Sequence, residues 1–147
     1  MALPRANRLR RRKDFDRVYQ KGFRKRSRHL TLVALRQETL RQEILRQEGS
    51  SQVQADNLVN EPLPAAHDWS VTRVGISISQ KVSKRAVIRN RIKRQLRAAM
   101  RHLLPSFPYG WNLVIVVHPQ AAECDYLQFL RELEQLLMDA EVFNGYS

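Results

Sequence analysis

A cluster of cationic residues between positions 84 and 101 has the clearest chemical potential in this sequence. Seven Lys and Arg fall within residues 84–97, and residues 81–102 contain no Asp or Glu. On a helix, five cations would form a row at i, i+4 spacing with two more beside it: Arg85, Arg89, Lys93, Arg97 and Arg101, then Arg91 and Arg94. Like charges at that spacing repel by about 0.2–0.5 kcal/mol per pair. Because a polyanion would relieve the repulsion, we predict a nucleic-acid-binding helix from about Lys84 to Arg101.

Two other interpretations of this helix stay open. A solvated helix face is the commonest role of a charged segment, although such faces usually mix both signs. A helix lying on a membrane surface is the second, but the apolar stripe here contains no Trp or Phe of the interfacial kind.

The positive charge is concentrated in two segments. The chain has 26 Lys and Arg against 14 Asp and Glu, a net charge of +12. Residues 1–30 carry +10 and residues 81–102 carry +9, while residues 31–80 carry −2 and residues 103–147 carry −5. This segregation predicts a basic face for binding on an otherwise acidic molecule.

Residue types that could form a catalytic centre are dispersed. Sequence spacing reveals no metal-ligand cluster, no paired carboxylates within a basic site and no Ser/His/Asp set. Four histidines are spread along the chain, and each is expected to be structural or exposed: His29, His67, His102 and His118. Cys124, the single cysteine, is expected to be a small buried hydrophobe. We therefore predict a binding protein with no catalytic residue and no metal site.

Residue types also indicate a compartment. No run of about 18 apolar residues could span a membrane, and the N-terminus lacks the apolar stretch of a secretory signal. One cysteine cannot form an internal disulfide, which suits a reducing environment. We predict a cytoplasmic protein with no membrane partner.

The elements that would position these residues begin with a helix and a strand. Three apolar residues at i, i+3 and i+4 form the stripe of a predicted helix over residues 6–21: Phe15, Val18 and Tyr19. Gly22 is a plausible end for that helix. Alternating apolar residues then predict a strand over residues 29–35.

Residues 36–67 are interpreted as a low-complexity insertion. Leu-Arg-Gln-Glu occurs three times at a period of five, which fits neither the helical nor the strand period. A solvated helix is possible from the residue types, but it would have no face to bury. The alternative is a repeat that binds a partner.

Residues 71–79 alternate cleanly and predict a second strand. Its apolar face would be buried, while the opposite face would carry small residues that let a ligand backbone approach: Gly75, Ser77 and Ser79. Ser83 is the predicted N-cap of the basic helix, and Pro105 follows its end. The apolar stripe of that helix comprises Ile88, Ile92, Leu96, Ala99 and Leu103.

A continuous apolar run at residues 113–117 predicts a central strand covered on both faces. The last helix is expected to begin near Asp125, with Gln128 completing a capping box. Its predicted core face comprises Leu127, Leu130, Leu133, Leu137 and Ala140, and Asn144-Gly145 would end it. The element order is helix, strand, strand, helix, strand, helix. This order predicts an α/β fold with one sheet covered by helices, in a single domain over residues 1–147.

The sequence IRNRIKR at Ile88–Arg94, preceded by VGISISQK at Val74–Lys81, resembles the signature of the bacterial ribonuclease P protein component. Further matches to that family lie at both ends of the chain: Arg8-Leu9, Asp14-Phe15, Val18-Tyr19, Gly22 and the strand that ends in His118-Pro119. The resemblance covers nearly the whole chain except residues 36–67. It implies the small protein subunit of an endonuclease that removes the 5′ leader from precursor tRNA.

The resemblance also implies partners, fold and cofactor. The partners would be the ribonuclease P RNA subunit and precursor tRNA, with no further protein required. Catalysis would belong to the RNA and its Mg²⁺, with no cofactor bound by the protein alone. The fold would be an α+β sandwich with a mixed sheet of about four strands, three helices and a left-handed βαβ crossover. The fourth strand is expected near Trp69 or within residues 21–28.

Residue roles carry over by position. Those expected to contact the RNA subunit are Arg85, Arg89, Asn90, Arg91, Lys93, Arg94 and Arg97. Those expected to line a cleft for the single-stranded leader are Phe15, Arg17, Tyr19, Ser77, Ser79 and Lys81. Further basic RNA contacts are expected at Arg8, Arg10 and Lys13. Core packing is the alternative for Phe15 and Tyr19, and Val33 stands where some members carry an aromatic.

Two rival functions remain from sequence alone. One is a ribosomal or general RNA-binding protein without a processing role. The other is a nuclease in its own right, which the missing catalytic set disfavours.

Overall fold

A computed structural model of the chain describes residues 3–38, 71–107, 109–140 and 142. These residues form three α-helices and four β-strands, with short 3-10 turns between some of them. In chain order the elements are α1 (Arg12–Lys21), β1 (Phe23–Arg26), β2 (Leu30–Arg36), β3 (Arg73–Ser77), α2 (Ala86–Leu103), β4 (Trp111–Val117) and α3 (Tyr126–Asp139). None of the helices in these ranges is long and apolar enough to cross a bilayer.

The strands form one mixed sheet in the order β1-β2-β4-β3. The pairs β1/β2 and β2/β4 are antiparallel, while β3 and β4 are parallel and are joined through α2. The predicted four-stranded mixed sheet with three helices is confirmed. The fourth strand, β1, falls within residues 21–28, one of its two predicted places. The left-handed sense of the β3-α2-β4 crossover stays a prediction.

Helices cover both faces of the sheet. On one face, α2 packs near β3 and α3 packs near β1 and β2, and together they enclose the larger core. On the other face, α1 covers a smaller core that comprises Leu9, Val18, Val33, Leu35 and Val114. Leu113 and Ile115 of β4 face the larger core, so the predicted central strand with both faces covered is confirmed.

The start of α1 differs from the prediction. The helix begins at Arg12 rather than at Ala6, and Arg5–Asn7 form a separate 3-10 turn. Arg8 forms a bridge with Val74, and the Leu9 N–H donates to the Val74 carbonyl at 2.9 Å. The chain is extended here because it pairs with the free edge of β3.

The strand predicted over residues 71–79 is shorter than expected. It ends at Ser77 because the chain turns just afterwards, where the Val82 N–H donates to the Ser79 carbonyl at 3.1 Å. The predicted Ser83 cap of α2 is also wrong. Arg85 occupies the N-cap position, and Ser83 Oγ instead accepts from the Arg85 N–H at 3.2 Å. The predicted apolar stripe of α2 is correct, with Ile88 half-buried and its other four residues buried.

The capping box of α3 is confirmed, since Asp125 and Gln128 exchange hydrogen bonds of 2.8 and 2.9 Å. Its predicted core face is partly wrong, because Leu127 is 57 % exposed while Phe129 and Leu136 are buried. The buried face of α3 is the one that carries Phe129, Leu133, Leu136 and Leu137. A prediction based on the leucines alone places this face incorrectly, because it leaves out Phe129. The helix ends at Asp139, and the predicted Asn144-Gly145 end lies outside the described residues. The predicted insertion over residues 36–67 also lies outside the described residues from residue 39 onward.

Candidate RNA-binding surface

The cations of α2 point away from the sheet because the opposite side of the helix is buried in the core. Arg85, Asn90, Arg91 and Arg94 are exposed, whereas Arg89, Lys93 and Arg97 are half-buried. Two of the guanidiniums bind backbone carbonyls: Arg89 Nη1 donates to Ser83 at 2.7 Å and Arg91 Nη2 donates to Ala122 at 2.9 Å. These neutral acceptors orient the side chains and leave their charges available to an anion.

Arg97 joins the basic helix to the N-terminal segment. Burial, and then the charge of nearby Arg8, lowers the pKa of Arg97 below its usual value. Arg8 is itself held by a 2.9 Å hydrogen bond from its Nε to the Leu3 carbonyl. Arg8, Arg10 and Arg97 all line one pocket of about 400 Å³. Residues predicted separately as RNA-subunit contacts and as further basic contacts therefore meet at one place.

Phe15 and Gly75 form the floor of that pocket. A Cβ on Gly75 would lie 2.6 Å from Phe15 Cε1, so the glycine leaves room for the ring. The prediction that Gly75 admits a ligand backbone is wrong, because the protein's own Phe15 occupies that space. Phe15 packs against the smaller core and remains half-buried, so core packing and pocket lining both hold for it.

Strand register places two rows of side chains across the α1 face of the sheet. Cross-strand partners point to the same face. One row is Arg24, Val33, Val114 and Gly75, and the next is Arg26, Thr31, Val116 and Ser77. Each row therefore begins with an arginine on edge strand β1 and ends on β3.

A second pocket, of about 290 Å³, opens beside α1. It is lined by Tyr19, Arg24, Thr31, Val33 and Val116. The Arg24 guanidinium carbon lies 6.0 Å from the centre of the Tyr19 ring, within cation–π range. We call this pocket and the Phe15 pocket together the α1 cleft. Phe15, Tyr19 and Ser77 were predicted there: the first two line its pockets, and Ser77 lies on the same face of the sheet.

Other predicted cleft residues lie elsewhere. Ser79 and Lys81 are exposed in the turn after β3, where Ser79 Oγ accepts from the Lys81 N–H at 3.2 Å. Arg17 is exposed on α1, and so is Lys13, which was predicted as a further basic RNA contact. Sequence reasoning missed the cleft positions of Arg24 and Thr31. Arg24 and Arg26, two residues apart, would lie on one face of any strand over Phe23–Arg26 and could have indicated a basic patch there. Thr31 Oγ1 also lies 2.7 Å from His118 Nε2.

The fold also assembles a cluster that sequence spacing concealed. His29 Nδ1 lies 2.6 Å from Glu132 Oε2, and Cys124 is adjacent. Burial alone would raise the pKa of Glu132, but hydrogen bonds from Ser27 and His29 together with the charge of His29 lower it. Burial, and then the charge of Glu132, raises the pKa of the Cys124 thiol. His29 lies more than a hundred residues from Glu132 in sequence, so only the folded chain reveals the group.

The fold and the basic face together define a class, the small α+β proteins with an exposed cationic helix packed on a four-stranded mixed sheet. The family model described as Ribonuclease P matches residues 3–141. The chain therefore belongs to the ribonuclease P protein family, whose members take part in an endoribonuclease holoenzyme.

Curated relatives of full length agree. Proteins described as "Ribonuclease P protein component" are 54 % identical in Cyanothece, over 95 % of both chains, and 48 % identical in Trichormus variabilis, over the whole of both chains. Among solved structures, the RNase P protein of Staphylococcus aureus has a TM-score of 0.65 at 24 % identity, covering 93 % of this chain and 97 % of that one. The RNase P protein of Thermotoga maritima has a TM-score of 0.62 at 18 % identity, covering 90 % and 96 %. These two structures support the fold.

Proposed function

We propose that this chain binds the ribonuclease P RNA subunit through α2 and holds the 5′ leader of precursor tRNA in the α1 cleft. The carrying observation is that the exposed cations of α2 continue, through Arg97 and Arg8, into a cleft that contains aromatic rings. We further propose the cytoplasm as its location, since the single cysteine requires no oxidising compartment.

The charge on α2 supports an assembly role. Two RNAs brought together repel through their phosphates, and each cation that neutralises a phosphate releases a counterion. Arg91 and Arg94 are exposed for such contacts, and Arg offers two parallel hydrogen bonds to a phosphate. No acid within residues 81–102 competes for them.

The α1 cleft supports a role with unpaired RNA. Single-stranded bases stack on aromatic rings at about 1–3 kcal/mol per base. Phe15 and Tyr19 are half-buried, so their rings are held in place while part of each remains accessible. Arg24, beside the Tyr19 ring, can hold a phosphate next to a stacked base. Val33 lines the same pocket and offers an aliphatic contact without stacking.

Cleavage itself is proposed to occur in the RNA subunit, where bound Mg²⁺ would activate the attacking water. The residues of this chain would then bind and orient. By adding positive charge, the protein should lower the Mg²⁺ concentration that the RNA requires.

The test is cleavage of precursor tRNA by the RNA subunit at low Mg²⁺, with and without this protein. We expect the wild-type chain to rescue cleavage, and Arg91→Ala/Arg94→Ala to rescue it poorly. Arg131→Ala, which removes an exposed cation from α3, is the matched control and should rescue fully. A Tyr19→Ala variant should lose the preference for precursor over mature tRNA while it still binds the RNA subunit.

Two outcomes would overturn the proposal. If the wild-type protein binds RNA but does not rescue leader cleavage, the chain is a general RNA-binding protein. If purified protein cleaves precursor tRNA without the RNA subunit, catalysis belongs to the protein.

A further inference from the structure

A second cluster of reactive side chains lies under α3, and the proposed RNA contacts do not use it. His29 stands just before β2, Glu132 is on α3, and Cys124 precedes the N-cap of α3. We propose that these three side chains form a binding site for one Zn²⁺ ion, which fastens α3 to the turn between β1 and β2.

The distances suit a single ion after small adjustments. The three ligand atoms lie within 4.8 Å of one another. Zinc bonds of about 2.0–2.2 Å to nitrogen or oxygen and about 2.3 Å to sulfur place tetrahedral ligand atoms roughly 3.3–3.7 Å apart. His29 Nδ1 and Glu132 Oε2, now 2.6 Å apart, must separate by about 0.7 Å. The sulfur must approach the other two ligand atoms by at most about 1.1–1.5 Å, which side-chain rotation can supply.

The carboxylate is already oriented for this role. Glu132 Oε1 accepts hydrogen bonds from Ser27 Oγ at 2.5 Å and from the His29 backbone N–H at 3.0 Å. Oε2 therefore remains for the ion. The His29 carbonyl accepts from the His118 N–H at 2.9 Å, which fixes the backbone that carries the imidazole. Such outer hydrogen bonds orient the ligands of natural metal sites.

The donor set selects the kind of metal. One imidazole nitrogen, one thiolate and one carboxylate suit Zn²⁺, whereas Mg²⁺ and Ca²⁺ prefer sites made of oxygen alone. With both anionic ligands ionised, a bound Zn²⁺ leaves the site neutral. The nearby guanidiniums of Arg28 and Arg131 therefore do not oppose binding.

A metal ion can reach the proposed site from solvent. A pocket of about 360 Å³ opens beside His29 and Glu132, with Arg28, Gln128 and Arg131 also on its wall. Water from this pocket can fill a fourth coordination position. A metal that binds the folded but not the unfolded chain raises stability in proportion to the logarithm of its concentration.

The experiment uses full-length protein freed of metal with a chelator, and Co²⁺ as a spectroscopic probe. We expect one equivalent of Co²⁺ to produce thiolate-to-cobalt charge-transfer absorption, which Zn²⁺ then removes by displacement. Zn²⁺ at a hundredfold excess over its Kd should raise the thermal midpoint by about 5–10 °C. Cys124→Ser should abolish the charge-transfer absorption, and His29→Gln or Glu132→Gln should weaken Co²⁺ binding about tenfold or more.

Two controls separate this site from other effects. His102→Gln removes an exposed histidine of α2 and should leave the cobalt spectrum unchanged. Cys124→Ser should still bind the RNA subunit, so loss of metal and loss of the proposed function are distinguishable. A folded wild-type protein without charge-transfer absorption would overturn the proposal and leave His29 and Glu132 as a hydrogen-bonded clamp. Equal Zn²⁺ stabilisation of wild type and Cys124→Ser would also overturn it.

Discussion

Gly75 is the residue at which a single added carbon would change the α1 cleft. Its Cβ would lie 2.6 Å from Phe15 Cε1 and 3.2 Å from Leu9 Cβ. We expect Gly75→Ala to push Phe15 aside and to lower the free energy of unfolding by about 1–3 kcal/mol. It should also reduce the preference for precursor over mature tRNA. Urea unfolding and paired binding measurements with the two RNAs check both effects.

A second substitution at Phe15 tests whether the clash with its ring causes the loss of stability in Gly75→Ala. Phe15→Leu in the Gly75→Ala background makes room for the new methyl group, so stability should partly return while leader preference does not. Equal stability of Gly75→Ala and wild type would contradict the packing seen at this position.

The surroundings of Glu132 predict that the stability of the fold depends on pH in the acid range. Its hydrogen bonds to Ser27 and His29 lower the pKa of the folded state below the ordinary value of 4.5. The ionised carboxylate therefore stabilises the fold above that value, and the contribution is lost as pH falls through the folded pKa. In a chelating buffer, wild type should be more stable than Glu132→Gln at about pH 7, and the difference should shrink in acid.

Urea unfolding across a pH series measures this difference. Glu134→Gln, on the exposed side of α3, is the matched control and should show little difference from wild type at any pH. A gap between wild type and Glu132→Gln that widens in acid would mean that the carboxylate is not stabilised as an anion.

At the scale of elements, the helices could be predicted better than their ends. The buried side of α2 follows from local spacing, because Ile92, Leu96 and Leu103 share one face of any helix. The start of α1 and the end of β3 depend instead on contacts between distant segments. Arg8 pairs with Val74 across more than sixty residues, and no local pattern encodes that pairing.

The candidate site divides in the same way. The cationic row could be predicted because its charges are adjacent in sequence. The rows across the sheet depend on the register of β1 and β3 with the strands between them, so Arg24 was not linked to Gly75. The contact of His29 with Glu132 likewise needs α3 to pack over the β1–β2 turn.

The basic helix α2 predicts a measurable salt dependence. With five to seven phosphate contacts, log affinity for the RNA subunit should fall with log salt at roughly 0.7–0.9 per contact. Arg91 is exposed and oriented by the Ala122 carbonyl, so Arg91→Ala should reduce the slope by about one unit. Arg89→Ala should do the same and also loosen the helix start, because Arg89 binds the Ser83 carbonyl.

Filter-binding titrations at several salt concentrations give these slopes. Arg131→Ala on α3 serves as the reference substitution and should leave the slope unchanged. If Arg91→Ala and Arg89→Ala both keep the wild-type slope, the RNA contact surface is not α2.

At the scale of the whole molecule, the α1 face lies between two basic edges. α2 packs beside β3 at one edge of the sheet, and β1 contributes Arg24, Lys25 and Arg26 at the other. The more acidic α3 packs beside α2 on the opposite face, over β1 and β2. An RNA strand that crosses the α1 cleft would therefore meet cations at both ends. The predicted segregation of charge follows the edges of the sheet.

The net charge of +12 predicts that repulsion among its own cations lowers the stability of the free protein. Arg97 illustrates this repulsion, since burial first and then the charge of nearby Arg8 lower its pKa. Repulsion between exposed charges extends over about 30 Å at 0.01 M salt but only about 8 Å at 0.15 M, because added salt screens it. We therefore expect the thermal midpoint, measured by circular dichroism, to rise between these two salt concentrations.

Two variants with Arg→Gln substitutions test whether the change of the thermal midpoint with salt comes from repulsion in the basic helix. Arg91→Gln/Arg94→Gln removes repulsion from the basic helix, so this variant should gain less from added salt than wild type. Arg131→Gln removes a cation from residues 103–147, whose net charge is −5. It therefore removes little repulsion, and this variant should gain at least as much as wild type. A midpoint that falls with salt in the wild-type protein would mean that ion pairs outweigh repulsion. Binding of the RNA subunit should then stabilise the chain far more than salt does, because it supplies the counter-charge directly to the cations of α2.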